Sequence, residues 1–168
     1  GEHLKNINEG LDYANEIVGG GGKFLIEEKL VGEEFSLMSF VDGKTCKHMP
    51  VVQDHKRAYE GDTGPNTGGM GTYSFENHSL PFLSEKNVKE AQETNELVAK
   101  QLFKQTGIPY VGVLYGGFML TKSGIKVIEY NARFGDPEAM NVLSILKSDF
   151  LSICTSMVSG NLENQEVS

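Results

Sequence analysis

One stretch of the chain is apolar on both of its alternating faces, and it restricts the possible folds more than any other. Residues 33–41, EEFSLMSFV, alternate as a β-strand does, yet both faces carry large apolar side chains. Such a strand needs cover on both sides, which places it in the interior of a sheet. Asp42-Gly43 follows as a hairpin turn signal. Residues 45–52 are therefore predicted to return as the antiparallel partner, with Pro50 limiting the ladder near its end.

The other apolar patterns predict helices and further hairpins around this strand. Helical spacing predicts helices at residues 7–18, 84–106, 137–146 and 149–158, and shorter apolar runs predict strands at 23–28, 110–120 and from 126 onward. Residues 121–124 form a second hairpin turn. Because hairpins dominate the strand pairing, we expect an α+β fold whose largely antiparallel sheet is flanked by helices.

Composition excludes several classes of function. The chain has 168 residues, about one domain, and a net charge of −8. That charge argues against a general nucleic-acid binder, because nothing neutralises a phosphate backbone as a whole. No apolar run approaches the length of a membrane span and no signal peptide precedes the first helix, so a cytoplasmic location without membrane contact is expected. Cys46 and Cys154 lie far apart, which predicts free thiols in a reducing compartment.

A long polar segment is the first candidate for ligand binding. Residues 53–72, QDHKRAYEGDTGPNTGGMGT, are predicted to form a loop without regular structure. Its glycines would let the backbone approach a ligand closely, and Lys56 and Arg57 add positive charge, so the segment indicates an anion or small-substrate site. Disorder is the alternative. The four glycines at 19–22 follow a helix rather than a strand, which favours a connection over a phosphate loop.

The segment that follows the last predicted strand carries the second candidate site. Glu129, Asn131 and Arg133 occupy every second position, so an extended chain would direct them to one face. Carboxylate and amide oxygens suit a hard cation such as Mg²⁺, and a guanidinium suits a phosphate or carboxylate. Solvated charges at a strand end are the alternative. A turn at Gly135 follows, and Pro137 is predicted to open the next helix.

Three motifs together carry a resemblance to a known family. IEEKLVGEEFS, DHKRAYEGDTGPNTGGMGTYS and VIEYNARFGDPE, in this order, resemble the phosphoribosylamine–glycine ligase (glycinamide ribonucleotide synthetase) family of the ATP-grasp superfamily, over residues 24–162. The second motif is specific to that ligase, whereas the other two are shared more widely among ATP-grasp enzymes. The resemblance implies a partial ATP-grasp fold. It also implies an ATP-dependent carbon–nitrogen ligase of purine biosynthesis, which joins glycine to phosphoribosylamine through a glycyl phosphate and releases ADP and phosphate.

The resemblance also implies roles for individual residues. It assigns Mg²⁺ (or Mn²⁺) to Glu129 and Asn131, catalysis to Arg133 and Lys56, and ATP to Glu27, Leu30 and Glu34, with the Glu34 carboxylate on the ribose hydroxyls. The implied substrate wall comprises Arg57, Asp62, Thr63, Pro65, Asn66, Thr67, Gly68, Gly69 and Asp136, with residues 135–138 beside the amino-acid substrate. Gly117 departs from the wider superfamily, because many ATP-grasp enzymes carry an acid at the matching position.

The resemblance finally implies how the chain is organised. Residues 1–168 are expected to be the carboxyl-side part of an ATP-grasp catalytic region: a remnant of the lid subdomain at 1–30, the main subdomain at 31–162 and a polar tail at 163–168. The parent's N-terminal and C-terminal domains, and one wall of the ATP cleft, are expected to lie outside it.

The expected partners are ATP, glycine, phosphoribosylamine and the missing parts of the parent chain, and the isolated piece is predicted to be inactive. Two alternatives stay open from the sequence. One is another ATP-grasp carboxylate–amine ligase, and the other is a non-catalytic nucleotide-binding module.

Overall fold

The computed structural model describes residues 4, 6–61 and 63–168. Asp62, one of the predicted substrate residues, therefore lies outside the described residues. The chain divides into two compact units, Gly1–Val31 and Gly32–Ser168.

In the first unit the described residues form one helix, α1 (Ile7–Gly19), which confirms the helix predicted at 7–18. The Asn6 side chain caps it by accepting hydrogen bonds from the backbone N–H groups of Asn8 and Glu9, at 3.0 and 3.1 Å. The strand predicted at 23–28 is wrong: residues 22–31 form no ladder, and Leu25 and Ile26 are 88% and 87% exposed. A strand needs a partner for its backbone groups, and none of the described segments pairs with this one.

The second unit is built on strands. In chain order they are β1 (Gly32–Asp42), β2 (Cys46–His48), β3 (Gln53–Asp54), β4 (Arg57–Tyr59), β5 (Thr63–Asn66), β6 (Thr72–Tyr73), β7 (Val111–Thr121) and β8 (Gly124–Asn131). Four of them form the main sheet in the order β2–β1–β7–β8, and every pairing in it is antiparallel. The predicted hairpins at residues 42–43 and 121–124 connect neighbouring strands of this sheet.

The prediction that the strand at 33–41 lies inside the sheet is confirmed. β1 lies between β2 and β7, and residues 35–42 are all buried. The returning strand is shorter than predicted, because its ladder ends at His48, ahead of Pro50. Pairing resumes only at an isolated bridge between Ser36 and Val52.

Three helices and a 3₁₀ turn complete this unit: α2 (Glu85–Thr106), α3 (Glu138–Ile145), α4 (Phe150–Ser159) and the turn Leu162–Asn164. Ser84 and Asn87 form a capping box at the start of α2, and Gly107 ends it with φ 71°. These helices, with the antiparallel sheet between them, confirm the α+β prediction.

Alternate residues of β1 enter two separate cores. Phe35 and Leu37 pack with Ala91 of α2, whereas Met38 and Phe40 pack with Ile153 of α4. We call the first side of the sheet the α2 face. The opposite side carries the residues of the candidate site.

The last residues of the chain dock onto the second core. Val167 packs against it, and the Ser168 carbonyl accepts hydrogen bonds from the backbone N–H groups of Lys147 and Ser148, at 2.7 and 3.2 Å. The buried Asp42 carboxylate accepts a 3.0 Å hydrogen bond from the Leu162 N–H. Burial alone would raise the Asp42 pKa, but the N–H donors around it outweigh burial and lower it.

Within the described residues, no helix is by itself long and apolar enough to cross a membrane, although α3 and α4 reach that length and composition together, with a 103° bend between them. Both cysteines are free and half-buried.

Candidate functional site

One face of the sheet brings together two of the sequence motifs. Residues directly opposite each other on paired antiparallel strands share a face. On this face, Ser36 of β1 lies opposite Gly117 of β7, Gly117 lies opposite Glu129 of β8, Glu34 lies opposite Met119, and Tyr115 lies opposite Asn131. We call this side of the sheet the charged face. β1 and β8 are two strand spacings apart, so their backbones are roughly 10 Å apart, and Glu34 is displaced from the level of Glu129 by two further residues along the sheet.

Glu129 and Asn131 form a hydrogen-bonded pair at the end of β8. The Asn131 amide nitrogen donates to a Glu129 carboxylate oxygen at 3.0 Å. The ladder between β7 and β8 skips Ile128, and the two side chains share a face beyond this bulge, as predicted. The strand ends at Asn131, so its alternation does not extend to Arg133. Arg133 is exposed and donates to the Phe134 carbonyl at 2.8 Å.

The pair fits a divalent cation by the chemistry of its donors. Because the Asn131 nitrogen is turned toward Glu129, the amide oxygen remains available, beside a carboxylate that is exposed. Mg²⁺ typically takes one or two protein oxygens and completes its shell with water and phosphate oxygens. The described residues contain no cluster of three or more His, Cys, Asp and Glu side chains that could hold a metal by themselves.

A second group of charges lies on the β1 side of the same face. Lys56, between β3 and β4, forms an ion pair with Glu34 of β1. Burial would lower the Lys56 pKa, but the hydrogen bond and charge of Glu34 outweigh burial and raise it, with Asp54 and Glu138 contributing further. These residues surround a cavity of about 10 Å³, which has room for about one water. The ion pair is more than one third exposed, so we expect little stability from it.

Glu138 is the most deeply buried charge in this group. It is only 3% exposed, and one carboxylate oxygen accepts a 2.7 Å hydrogen bond from the Tyr115 hydroxyl. Burial and this carboxylate raise the Tyr115 pKa. One oxygen of Asp54 is also buried and has no hydrogen-bond partner among the described residues. Burial, and then the charge of Glu138, raise the Asp54 pKa.

The segment at 53–72, predicted to lack regular structure, consists instead of two ladders, one nested inside the other. β3 pairs with β6 at its base, and β4 pairs with β5 in its outer part. Side chains reinforce the ladders: Arg57 donates to the Gly64 carbonyl at 3.0 Å, and the Thr67 hydroxyl donates to the Lys56 carbonyl at 2.9 Å. The ladders supply hydrogen-bond partners for the backbone groups of this segment. The sequence does not reveal these partners, because they lie across the hairpin.

Gly69 is where this segment meets the turn after β8. Its φ is +128°, and a Cβ at this position would lie 2.5 Å from Pro137 Cδ and 3.0 Å from an Asp54 oxygen. Only glycine allows this approach. The second and third sequence motifs, predicted to line one site, are therefore in contact, and the Asp136–Pro137 peptide bond beside them is cis.

The remaining predicted residues are placed differently. Thr63, Pro65 and Asn66 are exposed on β5, Gly68 is exposed in the bend that follows it, and Asp136 is exposed beyond β8. Glu27 is exposed and Leu30 is half-buried, both in the first unit, so their proposed partnership with Glu34 stays a prediction.

Sequence reasoning missed two residues of this cluster. Asp54 begins the DHKR motif, which was a usable signal. Tyr115 stands in an apolar strand and gave no signal of its own, because its partner Glu138 is 23 residues away in the chain.

Comparisons with known proteins agree with these features. The family model described as "Phosphoribosylglycinamide synthetase, ATP-grasp (A) domain" matches residues 3–139. Curated phosphoribosylamine–glycine ligases from Methanococcus vannielii and Methanocaldococcus jannaschii are 55% and 56% identical to the chain, over 98% and 99% of it. The chain spans 38% of the length of each of these relatives.

Solved structures give the same result for the fold. The structure of phosphoribosylamine–glycine ligase from Thermotoga maritima matches with a TM-score of 0.75 and 31% identity, over 94% of this chain and 40% of that one. D-alanine–D-alanine ligase from Bacillus anthracis, solved in complex with ATP, matches with a TM-score of 0.57 at 17% identity, over 96% of this chain and 48% of that one. At that identity the likeness concerns the fold alone.

Proposed function

Since the chain belongs to the phosphoribosylglycinamide synthetase ATP-grasp (A) domain family, we propose that it forms the carboxyl-side part of the catalytic region of a phosphoribosylamine–glycine ligase. Family membership implies the use of ATP and of a divalent metal in general terms. We further propose that the whole enzyme joins glycine to phosphoribosylamine in purine biosynthesis, and that its metal is Mg²⁺ or Mn²⁺.

The observation that supports this proposal most directly is the composition of the charged face. A carboxylate–amide pair, Glu129 and Asn131, and a cation, Lys56, occupy the same side of one sheet. Gly117 stands between them without a side chain. Phosphoryl transfer needs little covalent help from a protein, and depends mainly on positioning and on neutralising charge. Metal ligands and an ammonium group on one face of the sheet would provide both.

Within this proposal, each residue has a chemical task. The γ-phosphorus of ATP forms a bond to a glycine carboxylate oxygen as its bond to the ADP oxygen breaks. The phosphoribosylamine nitrogen then attacks the acyl carbon, loses a proton, and phosphate leaves. A bound metal supplies positive charge beside the phosphates, held by Glu129 and Asn131. Lys56 and Arg133 carry fixed positive charge toward the transferred group.

The proposed substrate wall is the nested ladder segment with Asp136. Arg57, Thr63, Pro65, Asn66, Thr67, Gly68 and Gly69 would contact glycine and the ribose phosphate, together with Asp62, whose structure is not described. Glu27, Leu30 and Glu34 would bind the adenosine. Glu34 also forms an ion pair with Lys56, so the nucleotide and the proposed catalytic lysine would both interact with the Glu34 carboxylate.

A coupled assay for ADP release tests the proposal. Full-length protein containing this chain should release ADP only when glycine and phosphoribosylamine are both present, and the 168-residue chain alone should not. A panel of other carboxylate and amine substrates separates this ligase from a different ATP-grasp ligase. Turnover by the chain alone near that of the full-length protein would contradict the proposed organisation, and turnover with a different pair would contradict the proposed substrates.

The metal assignment has its own test in the full-length protein. Glu129→Gln removes a carboxylate charge while keeping the side-chain shape, so activity should fall and the Mg²⁺ concentration for half-maximal rate should rise. An unchanged magnesium dependence would exclude Glu129 as a ligand. Lys122→Gln, at the exposed hairpin before β8, is a control that leaves the strand intact.

A further inference from the structure

A buried hydrogen bond connects the sheet to the helix that follows the turn after β8. The Tyr115 ring is only 6% exposed and belongs to the core beneath α4, so its position is fixed by the sheet. Its hydroxyl donates to Glu138, the first residue of α3, at 2.7 Å. On the other side, Tyr115 lies directly opposite Asn131 in the ladder. One residue therefore contacts both the strand that ends in Asn131 and the helix that follows the turn.

The turn encloses this hydrogen bond. A Cβ at Gly135 would lie 2.5 Å from the second Glu138 oxygen and 2.7 Å from Cε2 of Tyr115. The Gly135 N–H points at the Met38 sulfur at 3.4 Å, and the Gly135 carbonyl accepts from the Ala139 N–H at 2.9 Å. The backbone of the turn thus packs directly on the hydrogen-bonded pair, with no space for a side chain between them.

The other side of the turn contacts the nested ladder segment. Gly69 approaches the Pro137 ring so closely that a Cβ would lie 2.5 Å from it. A displacement of Pro137 toward Gly69 would therefore displace Gly69 as well, since the space between them is too small even for a methyl group. The path runs from the sheet through Tyr115, Glu138 and Pro137 to the segment that carries the proposed substrate residues.

We propose that Tyr115 and Glu138 are positioning residues. Their hydrogen bond fixes the position of the turn at 135–137 and, through the approach of Pro137 to Gly69, the position of the ladder segment. Neither residue needs to contact a ligand for this. The consequence for substrate binding rests on the proposed function, whereas the positioning itself concerns this chain alone.

The variants Glu138→Gln and Tyr115→Phe separate the effect of the hydrogen bond from the effect of the charge. Glu138→Gln keeps an oxygen that can accept from the Tyr115 hydroxyl and removes the negative charge. Tyr115→Phe does the reverse: it keeps the charge and removes the donor. If the hydrogen bond positions the turn, only Tyr115→Phe should displace it. Tyr110→Phe is a matched control, because its hydroxyl donates to the Val113 carbonyl at 2.7 Å, away from this turn.

The experiment records amide NMR spectra of the ¹⁵N-labelled chain. Tyr115→Phe should shift the signals of Gly69 and Asp136, while Glu138→Gln and Tyr110→Phe leave these two signals close to wild type. Equal shifts in Tyr115→Phe and Glu138→Gln would assign the effect to charge and overturn the proposal. An unshifted Gly69 in Tyr115→Phe would limit the hydrogen bond to local packing and also overturn it.

A reciprocal variant tests the same path if Tyr115→Phe fails to fold. Gly69→Ala places a methyl group against Pro137 and should shift the signals of Gly135 and Glu138. Gly68→Ala should leave those signals unchanged, because a Cβ there meets nothing within 4 Å. Identical spectra for the two alanine variants at Gly135 and Glu138 would overturn the proposed contact path.

Enzyme kinetics extend the test to function. In full-length protein, Tyr115→Phe should raise the KM of glycine or phosphoribosylamine roughly tenfold while the KM of ATP changes little, because the turn and ladder carry the proposed substrate residues. An equal rise in the KM of ATP would contradict positioning of that wall. If the spectra behave as expected but the substrates differ, the proposed function fails and the positioning stands.

Discussion

The buried polar groups on the two faces of the main sheet differ in charge and in how completely they are hydrogen-bonded. On the α2 face, Asn95 is fully buried and neutral, and its amide donates to the Leu37 carbonyl and the Ser39 hydroxyl at 3.1 and 3.0 Å. Its oxygen accepts from Tyr130 at 3.0 Å. On the charged face, carboxylates cluster around one lysine, and an Asp54 oxygen has no hydrogen-bond partner among the described residues.

This is the difference expected between a stabilising polar network and the proposed binding site on the same sheet. A neutral network in which each polar group has a partner loses little on burial and fixes how α2 docks. Clustered carboxylates repel one another and lose hydration when they are buried, so they lower the stability of the fold. Such a cluster is typical of a site where a ligand interacts with the charges. Proteins commonly depart from good packing and pairing at functional sites. We therefore expect variants of the neutral polar network on the α2 face to change stability, and variants of the charged cluster on the opposite face to change stability much less.

Removing Asn95 should give the largest effect. Asn95→Ala breaks three hydrogen bonds and leaves the Tyr130 hydroxyl without its buried partner, so the free energy of unfolding of the Gly32–Ser168 unit should fall by roughly 3 kcal/mol. Urea denaturation measures this. Gln101→Ala, exposed on the same helix, is the control and should change little. A loss as small as the control's would remove the distinction between the faces.

Adjacent glycines provide the sharpest contrast. A Cβ at Gly116, on the α2 face, would lie 2.5 Å from the Asn95 oxygen and 2.6 Å from the Phe118 ring, so Gly116→Ala should cost about 2 kcal/mol. At Gly117, on the charged face, the nearest atom is 3.5 Å away, so Gly117→Ala should cost less than about 0.5 kcal/mol. Denaturation curves measure both variants. Equal losses in the two variants would contradict the presence of space for a methyl group between Gly117 and Glu129.

Lys56 tests the charged face itself. Lys56→Met removes the cation among Glu34, Asp54 and Glu138, and because the pair is partly exposed we expect a loss of only about 1 kcal/mol at pH 7. The Lys56 pKa is raised in the fold, so its contribution is present below the ordinary value of 10.5 and is lost as pH rises through the raised pKa.

The Lys56 measurement is the difference in unfolding free energy between wild type and variant from pH 7 to 11. Lys100→Met, exposed on α2, is the control and should show no such pH dependence. A constant difference across this range would contradict the assigned pKa direction.

His48 should give the smallest effect, at the edge of the α2 face. Its ring lies 2.8 Å from the Ser39 hydroxyl, and burial lowers its pKa although Glu96 opposes this. A lowered histidine pKa gives stability that is complete above the unfolded value of 6.5 and is lost as pH falls below it. Between pH 7.5 and 5, wild type should lose up to about 1 kcal/mol more than His48→Gln.

Thermal or urea unfolding at several pH values measures the His48 effect, with His78→Asn as a control at an exposed histidine. Asparagine tolerates the positive φ of 59° at that position. If His48→Gln keeps the full pH dependence of wild type, another group is responsible for it.

Features that depend on neighbouring residues could be predicted from the sequence. The helices α1 and α2, the interior position of β1, the two hairpins and the α+β class all follow from local periodicity and turn chemistry, and the structure confirms them. The motifs also indicated the family. Local patterns suffice here because helix caps, strand alternation and turns are decided by residues within a few positions of each other.

Contacts between residues that are distant in the chain depend on the tertiary structure. Glu138 and Tyr115 are 23 residues apart in the chain, and Gly69 contacts Pro137 across the fold, so no local pattern reports either contact. The strand predicted at 23–28 failed for the same reason: its local pattern is right for a strand, but a strand also requires a partner, and none of the described segments provides one. The sequence motifs therefore contain only some of the residues of the candidate site. Its buried half exists because the sheet and the turn bring distant residues within hydrogen-bonding distance.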